Sequence, residues 1–147
     1  MNKVILFGSV ENTGKEIAKE LVRQGYELTV VLQDKNSVDK FLGLPSKFIV
    51  ADANNEKSLS EVLKDQEIVI SALSKTNTPT EKNKFVRKEI DTVTNLTILK
   101  ESIKAKVKRF VYVPSFHTEI SLHSDYYRAH ENFTKVLQKS GIEYSIV

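Results

Sequence analysis

The chain has 147 residues, with 22 lysines and arginines against 19 aspartates and glutamates, five glycines, no cysteine and no tryptophan. One domain is expected at this length, large enough to bury roughly two-thirds of its unfolded surface; the 40% apolar and 28% charged fractions exclude wholesale disorder and collagen-like structure. Without cysteine, disulfide scaffolds, thiolate metal sites, iron–sulfur clusters and a cysteine nucleophile are excluded together.

The net charge of +3 is small, and its basic residues are 18 lysines beside four arginines. Bidentate reading of bases or phosphates draws on arginine, so nucleic acid is not an expected partner. Nothing reads as a targeting signal or a membrane span. The apolar run Val4–Phe7 stops at Gly8, and the run Ile68–Leu73 is already interrupted by Ser71. A cytoplasmic location without a membrane partner is the expectation.

In chain order, Lys3–Phe7 reads as a first strand, apolar on consecutive residues as in a parallel sheet covered on both faces. A turn from Gly8 to Gly14 follows, then a helix with Ile17, Leu21 and Val22 on one stripe. Thr13 with Glu16 reads as its capping box, and Gly25 as its end. Leu28–Leu32 and Lys47–Val50 are strands two and three. Asn55 opens a helix over Glu56–Lys64, with Leu59, Val62 and Leu63 apolar, and Ile68–Ser71 is strand four.

The longest helix carries Val86, Ile90, Val93, Leu96 and Leu99 as its predicted stripe. Phe110–Val113 is strand five. A last helix with Phe133, Val136 and Leu137 on its stripe ends near Gly141, and Glu143–Val147 is strand six. Strands alternating with helices, without repeats or a linker, predict an α/β fold: a three-layer, doubly wound, Rossmann-like parallel sheet of six strands. Such sheets bind ligands beyond the carboxyl ends of the strands, where strand order reverses. The turn from Gly8 to Gly14 is therefore the first candidate site.

That turn reads Gly8-Ser9-Val10-Glu11-Asn12-Thr13-Gly14. Its glycines have the spacing of the outer two in a dinucleotide loop, where they allow a tight turn and helix N–H groups hold a pyrophosphate. It is not a P-loop, because five residues separate the glycines and Lys15 is followed by Glu16. Two glycines that only shape a strand-to-helix turn remain the alternative.

The ordered segments resemble the atypical short-chain dehydrogenase/reductases, in particular NmrA-like and sugar-epimerase-like NAD(P)-binding proteins. Val4–Gly14 is similar to that family's opening strand and glycine loop, and Gln24–Val30 to its passage into strand two. Ala51-Asp52 resembles the close of strand three, Ile68–Leu73 the "VVISAL" strand, and Ile90–Leu96 the long-helix motif, keeping Asn95 and Leu96. Lys106–Ser115 and Gly141–Val147 resemble "GVKRFVYVSS" and "GLDYTIV".

The resemblance implies an NAD or NADP cofactor. It places Gly8, Ser9, Val10, Asn12, Thr13 and Gly14 near the pyrophosphate, Gln33, Asp52 and Ala53 near the adenosine, and Ala72 and Leu73 along the ribose and nicotinamide side. Strand two is followed by Gln33 and Asp34 rather than the arginine that pairs with a 2′-phosphate, so NAD and NADP both stay open. Glu11 stands where the family keeps its middle glycine. A carboxylate there suits the empty helix terminus but repels a pyrophosphate, so weakened binding is expected.

Implied catalytic positions are Ser115 after strand five, with Tyr126 and His130 as a Tyr-x-x-x-Lys pair in which histidine replaces lysine. Lysine lowers the tyrosine pKa and orients ribose; a neutral imidazole supplies no such charge. A tyrosine and a histidine on a half-exposed helix face are the alternative. No metal is expected: Ser115, His117, His123, Asp125 and His130 show neither a metal-ligand nor a nucleophile motif. The cations Lys82, Lys84, Arg87, Lys88, Lys100, Lys104, Lys106, Lys108 and Arg109 read as a solvated face rather than a polyanion site.

Family members continue past the sixth strand with a portion that forms much of the substrate pocket. Residues 1–147 are accordingly expected to be one NAD(P)-binding domain lacking that portion. An oxidoreductase or epimerase-like enzyme acting on an unknown small molecule is the leading expectation. A non-catalytic sensor, interaction module or degenerate relative is the alternative, and pairing with a second copy along the terminal strand stays open.

Overall fold

The computed structural model describes residues 2–8, 12–32, 43, 46–53, 55–73, 81–114 and 124–147, without the side chains of 12, 81–92, 124–127 and 129. The elements are β1 (Lys3–Gly8), α1 (Asn12–Arg23), β2 (Glu27–Leu32), β3 (Lys47–Val50), α2 (Glu56–Leu63), β4 (Ile68–Ala72), α3 (Glu81–Lys104), β5 (Arg109–Tyr112), α4 (Ser124–Lys139) and β6 (Glu143–Ile146). The strands form one six-stranded sheet in the order β3-β2-β1-β4-β5-β6, parallel at every pairing. This is the predicted α/β class.

Consecutive apolar residues in the strands feed two cores. Along β1, Ile5 and Phe7 point to one face, while Val4 and Leu6 point to the other. The first face packs Val31, Val69, Phe110 and Tyr112 against Leu59 and Leu63 of α2, Ile98 and Leu99 of α3, and Phe133 and Leu137 of α4. The second packs Leu28, Val30, Leu32, Ile70 and Ala72 against Ala18, Ile17, Leu21 and Val22 of α1. The chain winds outward from β1 to β3 and then restarts at β4 in the opposite direction. Right-handed crossovers therefore put α1 on one face and α2, α3 and α4 on the other.

Local signals place the helix ends. Asn55 caps α2, its Oδ1 accepting the Ser58 N–H at 3.1 Å. Beyond α1, Gly25 takes a φ of +86°, its N–H donating to the Val22 carbonyl, while the Tyr26 N–H donates to that of Leu21. That pairing closes the helix and needs a residue that tolerates positive φ.

Three helix details differ from the sequence expectation. α1 begins at Asn12, so Thr13 lies inside its first turn, and Glu16 binds Lys19 at 3.1 Å instead of reaching back. In α3 the buried described residues are Thr94, Asn95, Ile98, Leu99, Glu101 and Ser102, while Val93 is 55% exposed. A stripe drawn in successive steps of three winds off the buried face by about 60° per step; the steps Asn95, Ile98, Leu99 and Ser102 stay on it. Val136 of α4 is likewise exposed, because the face through Phe133 and Leu137 already fills the space over β5.

Candidate functional site

The reversal of strand order falls between β1 and β4, and the register there is explicit. Gly8 pairs with Ala72, and one residue earlier Phe7 pairs with Ser71. Gly8, closing β1, and the first turn of α1, with Asn12, Thr13 and buried Gly14, therefore sit beside Ala72 and Leu73 at the end of β4. Asp52 and Ala53 follow β3 on the same edge. Ala51 is tied to the end of β2 by its N–H to the Leu32 carbonyl at 3.0 Å, and the Asn55 N–H binds the Asp52 carbonyl at 3.0 Å. Ala53 is buried in the core, whereas Asp52 is exposed.

Sheet order thus brings Gly8, Asn12, Thr13, Gly14, Asp52, Ala53, Ala72 and Leu73 to one edge of the molecule. Ser9, Val10, Glu11, Gln33, Ser115, His117 and His123 lie outside the described residues, and so do the side chains of Asp125 and Tyr126.

Two features of this edge suit an anion held by backbone. The first turn of α1 carries no acidic side chain, so its N–H groups and positive dipole end are not neutralised from within the helix. A Cβ on Gly8 would stand 3.3 Å from Cγ of the fully buried Leu6, so the strand end is already close-packed without a side chain there.

Below this edge runs a row of register partners on the α2–α4 face: Ile49, Val31, Phe7, Ser71, Tyr112 and Ile146. Its middle is polar. The Ser71 hydroxyl, with no exposed surface, donates to Oδ1 of Asn95 on α3, itself 6% exposed. Tyr112 meets His130 of α4: Nδ1 lies 3.2 Å from the phenol oxygen and the rings stack at 5.5 Å between centroids, 27° from parallel. Phe133 stands edge-on to Tyr112 at 4.7 Å. Burial pushes the His130 imidazole below its ordinary pKa, with Glu131 pulling weakly the other way.

The sequence expectation paired His130 with Tyr126, four residues earlier on the same helix. The Tyr126 side chain lies outside the described residues; among the described ones His130 meets Tyr112 of β5, a residue that sequence reasoning had left as an ordinary strand position. The signal was present in alternation. Phe110 and Tyr112 must share a face, and a tyrosine at a strand end under a helix needs a partner for its hydroxyl.

Of the five cations of the basic face whose side chains are described, four are paired. Lys100 meets Glu56 at 3.1 Å, Lys104 meets Glu101 at 3.3 Å, Lys108 meets Glu67 at 3.6 Å, and Arg109 pairs with Glu143 across β5 and β6. Among the described residues no three His, Asp or Glu side chains are grouped to hold a metal, and no helix is long and apolar enough to cross a membrane.

Residues 8–147 match the profile of a family described as NAD(P)H-binding, which is nearly the whole chain. The chain belongs to that family. Among curated proteins, this NAD(P)H-binding chain is 22% identical over 143 residues to the photosystem II assembly factor Ycf39 of Cyanidium caldarium; the match covers 97% of the chain and 45% of that protein. Among solved structures it superposes on a Rossmann-fold NAD(P)-binding family protein from Shigella flexneri with a TM-score of 0.76 at 18% identity, covering 99% of the chain and 66% of that one. A UDP-glucose 4-epimerase from Thermotoga maritima, solved with UDP-glucose, gives a TM-score of 0.73 at 19% identity, covering 99% of the chain and 54% of the enzyme. The NAD(P)H-binding chain therefore spans roughly half to two-thirds of the length of these proteins.

Proposed function

We propose that the chain binds NAD(H) or NADP(H) across the carboxyl ends of β1 and β4, and that it serves an oxidoreductase or epimerase-like reaction on a small molecule. The observation that carries this reading is the Gly8–Ala72 register at the reversal of strand order, with the first turn of α1, which carries no acidic side chain, alongside. Gly8, Ser9, Val10, Asn12, Thr13 and Gly14 would hold the pyrophosphate by backbone N–H groups. Gln33, Asp52 and Ala53 would face the adenosine, and Ala72 and Leu73 would support the ribose and nicotinamide. When bound, the nicotinamide gives or takes a hydride. Ser115 and Tyr126 are the groups on this chain proposed to hold a substrate oxygen and exchange its proton.

A second reading, a non-catalytic dinucleotide sensor, is favoured by one observation. His130, in the place of the expected lysine, is kept neutral by burial and is turned onto Tyr112. The sequence thus offers no lysine four residues after Tyr126, the fixed cation that the resembled Tyr-x-x-x-Lys pair uses to lower the tyrosine pKa.

Calorimetry with NAD+, NADH and NADPH tests the shared part of both readings. Wild type is expected to bind, and Glu11→Gly to bind more tightly by about 1 kcal/mol, a factor of about five, on removal of a carboxylate from the helix terminus. No heat with any of the three refutes the proposal. Oxidation of NAD(P)H with a panel of carbonyl substrates then separates the two readings, since binding without turnover supports the sensor.

A further inference from the structure

At the amino ends of β1, β2 and β3, the opposite end of the strands from the dinucleotide edge, a cavity of about 390 Å³ lies between sheet and helix. Its floor is Lys3 of β1, Glu27 and Thr29 of β2, and Lys47 and Ile49 of β3. Its roof is Glu61 and Val62 of α2, with Lys64, Asp65 and Gln66 just beyond that helix. We propose that this cavity is a second binding site, independent of the dinucleotide reading, and that it takes a small zwitterion: an α-amino acid with an aliphatic side chain.

Strand register explains why the layers do not close here. Thr29 pairs with Ile5 and Lys47, and it shares a face with Val31, which joins the core beneath α2. Two residues toward the strand starts, the same face carries the register partners Lys3 and Glu27. Leu59 and Leu63 of α2 pack onto the apolar part of this face. The end of the helix is left over charged residues that give it no apolar surface to pack against. The resulting volume is in the range that small-molecule sites occupy.

The polar lining is uncommitted. Thr29 is 5% exposed, yet its hydroxyl makes no hydrogen bond to a described residue. Oε1 of Gln66 is buried and likewise has no partner among the described residues. Buried polar groups are ordinarily paired, so two such groups in the lining of one cavity point to something that binds there. None of the six charged side chains forms an ion pair with a described residue, although Lys3 and Glu27 are register partners.

The two signs of charge are divided between the layers. The floor has two cations, Lys3 and Lys47, against Glu27; the roof has two carboxylates, Glu61 and Asp65, against Lys64. The roof also holds the carboxyl end of α2, the negative end of its dipole. The floor therefore suits a carboxylate, held by Lys3 and Lys47 with the Thr29 hydroxyl donating, and the roof suits an ammonium. Half-buried Ile49 and Val62 supply apolar surface for an aliphatic side chain. A simple anion would leave the roof carboxylates facing it. A metal ion does not suit the site either, since among the described residues no three His, Asp or Glu side chains are grouped to hold one.

The test is an amide NMR titration of the full chain with the free amino acids L-valine, L-leucine and L-isoleucine. The analogues 4-methylpentanoate and isopentylamine, which are leucine without its ammonium and without its carboxylate, serve as comparisons. At least one of the three amino acids is expected to bind saturably and to move the amide signals of Thr29, Lys47 and Asp65 more than those of Gly8 and Ala72. Each analogue is expected to bind at least about five-fold more weakly. Thr29→Val, which removes only the hydroxyl, and Lys47→Gln and Glu61→Gln, which alter exposed side chains, should each weaken binding about five-fold. Circular dichroism confirms that the variants fold. No saturable shift by about 10 mM with any of the three amino acids overturns the inference. So do shifts centred on Gly8 and Ala72, equal binding of either analogue, or wild-type affinity in any of the three variants.

Discussion

The buried Ser71–Asn95 hydrogen bond gives the sharpest test of how the strand ends are held. Ser71 has no exposed surface, and its hydroxyl donates across the β4–α3 interface to an amide that is itself buried. Asn95→Ala removes a bond worth about 1 kcal/mol and strands the Ser71 hydroxyl, which adds about 1–2 kcal/mol. The expected loss is therefore about 2–3 kcal/mol, or roughly 5–10 °C in melting temperature for a chain of this size. Ser71→Ala leaves the Asn95 oxygen without its donor and is expected to cost about 1–2 kcal/mol. The double variant removes both partners at once, so it should fall short of the sum by about 1 kcal/mol. Urea unfolding followed by circular dichroism at pH 8 measures all four proteins. Additive single effects, or an Asn95→Ala variant within about 0.5 kcal/mol of wild type, would refute the reasoning.

Two further predictions concern the same edge. Burial holds His130 below its ordinary pKa of 6.5, so between that lowered value and about 6.5 the unfolded chain binds more protons than the folded one. The contribution of His130 to stability is then complete above about pH 6.5 and is lost as pH falls through the folded-state value. Melting temperature should drop between pH 8 and pH 5.5, and His130→Asn should narrow the drop; an unchanged pH profile counts against burial of this ring. Gly8→Ala would place a methyl 3.3 Å from Cγ of the fully buried Leu6, at a position that is itself half-buried. It should cost about 1 kcal/mol of stability and weaken NAD+ binding at the β1 end. Wild-type melting and wild-type affinity together would show that close backbone approach at Gly8 is not used.

Much of the architecture was legible in the residues. Strands carrying consecutive apolar residues, such as Val4–Phe7, have to be covered on both faces, and the intervening amphipathic segments supply the cover. Asn55, Gly25 and Gly141 mark helix ends because their side chains, or the lack of one, act on neighbouring backbone over only a few residues. For the same reason the glycine turn after β1 could be singled out before any fold was known. Helix faces were less legible. Apolar residues at steps of three, from Ile90 through Val93 and Leu96 to Leu99, fit a stripe on paper, yet only packing against the sheet selects which side of α3 is buried.

The partners of individual polar groups could not be read along the chain at all. By itself the sequence determined that the protein is a parallel α/β domain with its candidate site in the first strand-to-helix turn, because periodicity and turn chemistry are local and repeat within a few residues. Only the tertiary structure decided that Gly8 lies beside Ala72, that Ser71 answers to Asn95, and that His130 faces Tyr112. Those pairings join residues 18 to 64 positions apart, and they follow from strand order and register, which no local pattern encodes.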